Sequence, residues 1–328
     1  MHKYVIGIDG GGTKTDAVLV AHDGRVLSRR IAGASNPNDV GIDASAELIR
    51  TLAGKLADGA GVSLRDCCLF GGIAGALNHR EALRARIAEG DGAPGKTDID
   101  SDMMNLLAAE LSDRDGACVI CGTGSACFLR VKGEVFRIGG WGFLLDSAGS
   151  GYDIGRQGLE AVLRAYDGRG QETVLSERFA DALGMPVPDC LTRLYAEGKT
   201  LIASLAPLVF SATAEGDPVA GQILDRNAAA LAELILAAWR RLCDGMTGDG
   251  CAAAMPVYLD GGICRHYDPA WRHAIARHIP PNIPIRPELA SHPVIWGATA
   301  EAMRRDGWQA EDIRRAEAVF CRDPHIMQ

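Results

Sequence analysis

The sequence predicts an α/β protein of two lobes, each with a sheet flanked by helices. An apolar run that ends at Asp9 is followed by three glycines and a second β-prone run. The same pattern recurs after Cys121, and helical segments follow each occurrence. Repeats this far apart favour a duplicated domain. Since 328 residues suffice for two domains, we expect lobes at 1–113 and 114–328, with a last helix near 309–320 packing back on the first lobe.

The first motif is the stretch from Ile6 to Asp16, IGIDGGGTKTD. Glycines let backbone N–H groups approach phosphate oxygens, and Asp9 can hold a cation directly or through its waters. A β-prone run and a turn at 22–25 follow, so the glycines lie in a hairpin between two strands. A P-loop or a dinucleotide-binding loop would open a helix instead. The hairpin is typical of sugar kinases, actin and Hsp70, where it wraps the ATP phosphates.

The motif recurs later in the chain. Strand residues 118–121 lead into Gly122-Thr123-Gly124-Ser125, and another strand, a turn and a strand follow. We interpret Val257–Asp260 with Gly261 and Gly262 as a third case. Two phosphate hairpins that face each other across a cleft would hold one nucleotide.

Helical spacing, caps and apolar runs predict the other elements. They are a helix from about Asp43, a strand at 68–75, a helix at 80–87, a polar loop at 91–97, a helix at 103–111, a helix at 153–166, a long helix from Asp217 and a helix that opens near Ala298.

Composition excludes several classes of function. The net charge is −8 and no basic cluster is present, which argues against nucleic acid and anionic membrane partners. The N-terminus runs straight into a strand, and Glu233 interrupts the longest apolar helix, so we expect a cytoplasmic protein without a signal peptide or a membrane span. The ten cysteines are interpreted as buried thiols, since Cys118 and Cys121 would point to opposite faces of a strand.

The motifs, in this order, resemble the N-acetylglucosamine kinase branch of the BadF/BadG/BcrA/BcrD-type ATPase family. The resemblance spans about residues 5–300, and its most specific parts are DGGGTK at 9–14, CGTGS at 121–125, GGWG at 139–142 and GSGYDIGR at 149–156. It implies two actin-like (ribonuclease H-like) lobes with ATP and sugar between them.

The resemblance also implies roles for individual residues. The implied ATP contacts are Asp9, Gly11, Gly12, Thr13, Lys14, Gly122, Thr123, Gly124, Gly261 and Gly262, with Mg²⁺ at Asp9 through water. The implied sugar contacts are Asn36, Asp102, Ser125, Ala126, Gly140, Trp141, Gly142, Asp146 and Ser147, and Asp102 is the implied catalytic base.

Each role has an alternative. A sugar hydroxyl is a poor nucleophile until a carboxylate accepts its proton, which suits Asp102, but this residue is also placed to cap a helix. Asn36 is alternatively a turn residue before Pro37, and Trp141 a wall without sugar contact.

One departure from the family lies after Trp141. Family members commonly carry Asp-Glu-Gly-Ser where this chain has Ser147-Ala148-Gly149-Ser150, and Asp146 is one position early. Either Asp146 supplies the family's sugar contact through a shifted backbone, or the contact is lost. The alternative role for Asp146 is to accept backbone N–H bonds in the glycine turn.

We therefore expect an ATP- and Mg²⁺-dependent kinase that phosphorylates an amino sugar, with N-acetylglucosamine at its 6-hydroxyl as the expected substrate. Glucosamine and N-acetylmuramic acid are alternative acceptors. An ATPase that activates a partner enzyme, as BadF-type relatives do, and a sugar-sensing repressor are alternatives of other classes. A homodimer is one of the assemblies left open.

Overall fold

The computed structural model describes residues 1–90, 92–244, 254–324 and 326. These residues form two compact units. The first comprises Met1–Asp113 and Ser291–Gln328, and the second comprises Arg114–Ala290. This division differs from the one expected from the sequence after residue 290. The expectation placed only the last helix, near 309–320, against the first lobe, whereas the structure assigns all of 291–328 to the first unit.

The first unit is built on a five-stranded sheet in the order β3-β2-β1-β4-β5. Strand β1 pairs antiparallel with β2 and parallel with β4, so the first glycine motif is the turn between two central strands. The elements are β1 (Tyr4–Gly10), β2 (Thr15–Ala21), β3 (Val26–Ala32), α1 (Pro37–Val40), α2 (Ile42–Ala60), β4 (Cys67–Ile73), α3 (Arg80–Ile87), β5 (Lys96–Asp100), α4 (Met103–Leu111), α12 (Val294–Arg305) and α13 (Ala310–Phe320).

The second unit repeats this topology, with the strand order β10-β9-β6-β7-β8. Its first strand likewise pairs antiparallel with the next and parallel with a later one. The elements are β6 (Gly116–Cys121), β7 (Ser125–Val131), β8 (Glu134–Ile138), α5 (Gly151–Tyr166), α6 (Leu175–Leu183), α7 (Leu191–Ser204), α8 (Ala206–Ala214), α9 (Pro218–Asp244), β9 (Val257–Asp260), α10 (Gly262–Tyr267), α11 (Ala270–Ala276) and β10 (Pro287–Leu289). The repeated order confirms the predicted α/β fold with a duplicated lobe.

The third motif does not form a hairpin, and that prediction was wrong. Strand β9 leads directly into α10 at Gly262. Its neighbours β6 and β10 are both parallel to it, and parallel strands need a crossover connection. Gly261 has φ +101° and approaches Cys121 so closely that a Cβ atom would lie 2.5 Å from its carbonyl oxygen.

Several elements were missed or shifted. Strand β5 begins inside the predicted polar loop at 91–97, helices α6, α7 and α8 were not predicted, and α12 begins at Val294 rather than near Ala298. Strand β5 is an edge strand with an exposed start, so its sequence lacks an apolar run.

The sheet of the first unit is covered on both faces, which explains why residues 291–328 belong to it. Alternate residues of β1 enter different cores. Val5 packs in the cluster that contains Trp296 and Phe320 of α12 and α13, and Ile6 packs in the cluster that contains Ile49 of α2. Helix α12 therefore completes one of the two layers on this sheet.

The cysteines largely follow the sequence interpretation. Eight of them are free thiols in the described part of the chain, and all of these except Cys321 are buried. Cys243 departs from it, because it is disulfide-bonded. Among the described residues, no helix combines the length and the apolar character needed to cross a bilayer.

Glycine is required where α12 crosses α4. A Cβ atom on Gly297 would lie 1.7 Å from the carbonyl oxygen of Asn105, whereas one on Gly54 in α2 would have no atom within 4 Å. Backbone atoms cannot rotate away, so Gly297→Ala should lower the free energy of unfolding by about 3 kcal/mol. Gly54→Ala, the matched control, should raise it by about 0.5–1 kcal/mol. Urea denaturation measures both, and equal effects would contradict this packing.

Candidate functional site

The first glycine hairpin leaves backbone donors free. Gly11 N–H donates to Lys14 O over 2.9 Å and closes the turn. In the described structure, the N–H groups of Gly12, Thr13 and Lys14 have no protein acceptor, and all three residues are exposed. A row of exposed N–H groups in a tight turn is a binding arrangement for anionic oxygens.

Buried hydroxyls fix this hairpin from behind. The Oγ1 atom of Thr15 lies 2.8 Å from both Gly33 O and Ser35 Oγ. Ser45 Oγ donates to Ser35 O over 2.6 Å, and Ser35 N–H donates to Gly11 O over 3.0 Å. The side chains around the hairpin therefore satisfy one another, while its outer N–H groups remain open.

The second hairpin has the same design. Gly122 N–H donates to Gly124 O over 2.9 Å. The first N–H groups of α5 hold it in place, since Gly151 N–H donates to Gly122 O over 2.7 Å and Tyr152 N–H donates to Thr123 O over 3.3 Å. The N–H groups of Thr123 and Gly124 find no acceptor within the described ranges.

Asp9, at the end of β1, is held by a residue that the sequence interpretation missed. Asn105 is fully buried in α4, and its Nδ2 donates to Asp9 Oδ1 over 2.8 Å and to Gly72 O over 3.1 Å. Burial raises the pKa of Asp9 to about 6, and the hydrogen bond from Asn105 opposes that rise. An amide in the mostly apolar helix α4, one turn after Asp102, was the available sequence signal.

The carboxylate of Asp9 has the chemistry to hold a divalent cation such as Mg²⁺. Its carboxylate is a hard oxygen ligand, and burial and the nearby carboxylates of Asp102 and Asp16 all raise its pKa. A divalent cation compensates a carboxylate in such surroundings. Asp9 is the residue of the first unit best suited to this cation, directly or through its waters.

Asp102 links β5 to α4. It occupies the N-cap position, but its carboxylate makes no capping bond, and Oδ1 instead accepts from Ser101 Oγ over 3.0 Å. Burial raises the pKa of Asp102. A carboxylate whose pKa is raised is a better proton acceptor than an ordinary aspartate.

Asn36 begins α1. Its Oδ1 accepts from Asn38 N–H over 3.0 Å, as expected of a turn residue before proline. The side-chain NH₂ group has no acceptor in the described ranges and stays available to a ligand. A Cβ atom on Gly75 would lie 2.1 Å from Asn36 Oδ1, so the amide lies against the turn after β4.

Three of the predicted sugar contacts of the second unit, Ser125, Ala126 and Gly140, lie together at β7. Ser125 Oγ donates to Ala148 O over 2.7 Å. Gly140 packs on this strand, because a Cβ atom there would lie 2.6 Å from Ala126 Cβ. Trp141 beside it is 64% exposed, with the Arg137 guanidinium 4.8 Å from its ring centroid.

The carboxylate of Asp146 does not hold the glycine turn. Gly149 N–H donates to Asn227 Oδ1 over 2.8 Å, and Ser150 N–H donates to Ser147 O over 3.0 Å. The backbone of Asp146 bonds Gly142 O, but its side chain has no partner within the described ranges. The side chain that accepts a backbone N–H bond in the glycine turn is therefore Asn227, and not Asp146. Asn227 is a buried residue of α9 that the sequence interpretation missed.

A pocket of about 690 Å³ adjoins the second hairpin. Gly122 and Thr123 form one side, and Gly262 at the start of α10 forms another. Thr200 and Tyr267 also line it. Its volume lies within the range of small-molecule sites. The structure thus brings the second and third glycine motifs to one pocket.

Comparisons with known proteins show the family to which the chain is related. The model of the BadF/BadG/BcrA/BcrD ATPase family matches residues 6–302. An N-acetylmuramic acid/N-acetylglucosamine kinase of Clostridium acetobutylicum is 37% identical over 237 residues, which cover 69% of this chain and 76% of the relative. An N-acetyl-D-glucosamine kinase of Dictyostelium discoideum is 34% identical, over 73% of this chain and 80% of the relative.

The fold comparison extends this likeness. The crystal structure of a candidate N-acetylglucosamine kinase from Chromobacterium violaceum has a TM-score of 0.70 and 25% identity, and the match covers 92% of this chain and 99% of that one. This likeness confirms the predicted fold of two actin-like lobes.

The raised pKa of Asp9 predicts a pH-dependent cost to the fold. Above pH 6 the native state carries an ionised, poorly hydrated carboxylate, whereas below the ordinary value of 3.8 the carboxyl is neutral in both states. Asp9→Asn should therefore stabilise the ligand-free protein on the order of 1–3 kcal/mol at pH 8, and by much less at pH 3.5. Urea denaturation at the two pH values measures this, and a gain that is independent of pH would contradict it.

Proposed function

The chain belongs to the BadF/BadG/BcrA/BcrD ATPase family, and from this membership we propose that it is an ATP-dependent amino-sugar kinase. The proposed reaction transfers the γ-phosphoryl group of ATP to the 6-hydroxyl of N-acetylglucosamine. Glucosamine and N-acetylmuramic acid are the alternative acceptors, since relatives of this chain are named for these sugars.

The observation that carries the proposal is the repetition of one hairpin in both units. Each hairpin has backbone N–H groups without a protein acceptor in the described ranges, at the exposed residues Gly12–Lys14 and at the exposed Thr123 and partly buried Gly124. Phosphate oxygens are the ligands that such donors favour. That both hairpins hold the same nucleotide stays a prediction from the sequence.

The nucleotide contacts follow from these donors. We assign the phosphates to the following residues: Gly11, Gly12, Thr13, Lys14, Gly122, Thr123 and Gly124. The pocket that Gly262 lines, next to Gly261, is the proposed site of the nucleoside. Asp9 would hold Mg²⁺ through water, and the bound ion would neutralise phosphate charge.

Asp102 is the proposed base. Its carboxylate would accept the proton of the sugar hydroxyl as that oxygen bonds the γ-phosphorus atom and the bond to the β-phosphate oxygen breaks, releasing ADP. Burial raises the pKa of Asp102, which makes its carboxylate a stronger acceptor for this proton. Asn105 would keep the neighbouring Asp9 in place through its hydrogen bond of 2.8 Å.

Three of the proposed sugar contacts have polar groups that can hydrogen-bond to a sugar hydroxyl. Asn36 has a free amide N–H₂ group, and Asp146 has a carboxylate without a protein partner in the described ranges. Ser125 has donated its hydroxyl hydrogen to Ala148 O, but its oxygen can still accept. Ala126, Gly140, Trp141, Gly142 and Ser147 complete the proposed set.

The direct test is incubation with ATP, MgCl₂ and a panel of N-acetylglucosamine, glucosamine, N-acetylmuramic acid and glucose. We expect ADP and one phosphorylated amino sugar, identified by mass spectrometry. ATP hydrolysis at the same rate without sugar would favour the ATPase that activates a partner enzyme. Light scattering on the same sample distinguishes a monomer from the proposed homodimer, and cell fractionation tests the proposed cytoplasmic location.

Asp102→Asn should lower kcat by about 10²- to 10⁴-fold, because an amide keeps the shape of the carboxylate but cannot accept the proton. Sugar affinity, measured by calorimetry, should stay close to wild type. Asp113→Asn, at an exposed position beyond the other end of α4, is the matched control. A kcat near wild type in Asp102→Asn would remove this residue as the base.

Asp146→Ala should raise the KM for the sugar and leave the KM for ATP nearly unchanged. An unpaired sugar donor costs about 1–3 kcal/mol, which is roughly a 5- to 150-fold change. Asp189→Ala, at an exposed position of the same unit, controls for the loss of one charge. If the KM for the sugar does not move, the missing family contact is lost in this chain rather than supplied by Asp146.

A further inference from the structure

The second hairpin obtains little charge from the helix beside it. The N-terminus of α5 points at the hairpin, but Gly151 and Tyr152 donate their N–H groups to hairpin carbonyls. Asp153 N–H donates to Ser150 Oγ over 3.1 Å. These are the donors with which a helix N-terminus normally binds an anion. A polyphosphate at this hairpin therefore needs another source of positive charge, all the more in a chain of net charge −8.

Lys199 stands where that charge is needed. Its Nζ lies 3.9 Å from the position that a Cβ atom on Gly124 would occupy. The same residue, Gly124, has a backbone N–H without an acceptor in the described ranges. The ammonium group and this free donor thus face one small region of the hairpin.

The ammonium group has no acidic partner in the part of the chain that the structure describes. Glu197, two residues earlier, is paired with Arg193 over 2.7 Å. The contact that Lys199 does make is with the ring of Phe143, whose centroid lies 5.9 Å from Nζ. An aromatic face attracts a cation without using its N–H bonds, so these stay free for an anion.

The backbone of α7 is bent at the residue before this lysine. Gly198 has φ 57° and ψ −133°, which interrupts the helix between Leu191 and Ser204. Glycine adopts such a conformation readily, because it has no Cβ atom. After the bend, Thr200 and Ser204 line the pocket of about 690 Å³. The bend therefore brings Lys199 to the edge where the pocket meets the hairpin.

We propose that Lys199 binds the β-phosphate of the nucleotide and supplies the positive charge that α5 does not. This inference rests on the proposed use of ATP. A nucleoside in the pocket beside Gly122 and Thr123 would run its phosphates along the hairpin toward Lys199. The residue thereby distinguishes nucleoside di- and triphosphates from the nucleoside alone.

Isothermal titration calorimetry with ATP, ADP and adenosine on the full chain, in Mg²⁺, tests this. Lys199→Met should weaken ATP and ADP binding by about 10- to 100-fold, as expected for a charge-assisted bond, and leave adenosine binding unchanged. Lys199→Arg should retain most of the affinity for ATP. Added salt should weaken ATP binding less in Lys199→Met than in the wild type.

Lys55→Met, at an exposed position of α2 in the other unit, controls for the change in net charge and should bind ATP normally. Equal ATP affinity in Lys199→Met and the wild type would overturn this inference and leave the proposed function standing. An equal loss of ATP and adenosine binding would show that Lys199 supports the pocket rather than the phosphates, which also overturns it. A wild type that does not bind ATP would overturn both.

Discussion

The buried amide of Asn105 is the contact on which the candidate site of the first unit depends. From one side chain it donates to the Asp9 carboxylate and to Gly72 O, and so ties α4 to the ends of the parallel strands β1 and β4. The same helix begins at Asp102. Close packing enforces the arrangement, since a Cβ atom on Gly72 would lie 2.0 Å from Asn105 Oδ1. The two carboxylates are therefore positioned by the core rather than by a mobile loop.

Each glycine hairpin is held rigid and still has backbone N–H groups without a protein acceptor in the described ranges. A loop whose N–H groups are all paired cannot bind phosphate, and a loop with none paired would be mobile. Here one bond closes each turn, from Gly11 to Lys14 O and from Gly122 to Gly124 O, and the neighbouring elements fix the rest. The remaining donors need no rearrangement of the hairpin to meet an anionic ligand, which suits the proposed binding of phosphate.

Motifs that are contiguous in sequence could be predicted from the sequence, whereas contacts between residues far apart in the chain could not. The first two strand–glycine–strand motifs were predicted correctly because each is complete within about twenty residues, whereas the third leads from β9 into α10 and not into a second strand. The return of 291–328 to the first unit depends on Trp296 packing on a sheet made from the start of the chain, which no local pattern encodes. The roles of Asn105 and Asn227 were missed for the same reason, because their partners Asp9 and Gly149 lie far away in sequence.

Charge pairing separates the acids of the first unit into two groups. Asp16 lies 2.7 Å from Arg29, and Asp100 lies 2.9 Å from Arg80. Asp98 pairs with Arg305.

Asp9 and Asp102 have no such cation among the described residues, and burial raises the pKa of each. A raised pKa marks a carboxylate whose charge the fold does not compensate. Under the proposed function, Mg²⁺ would supply the compensating charge for Asp9, and the sugar hydroxyl would supply a proton to Asp102. The pattern of ion pairs thus leaves free the two acids that the proposed phosphoryl transfer requires.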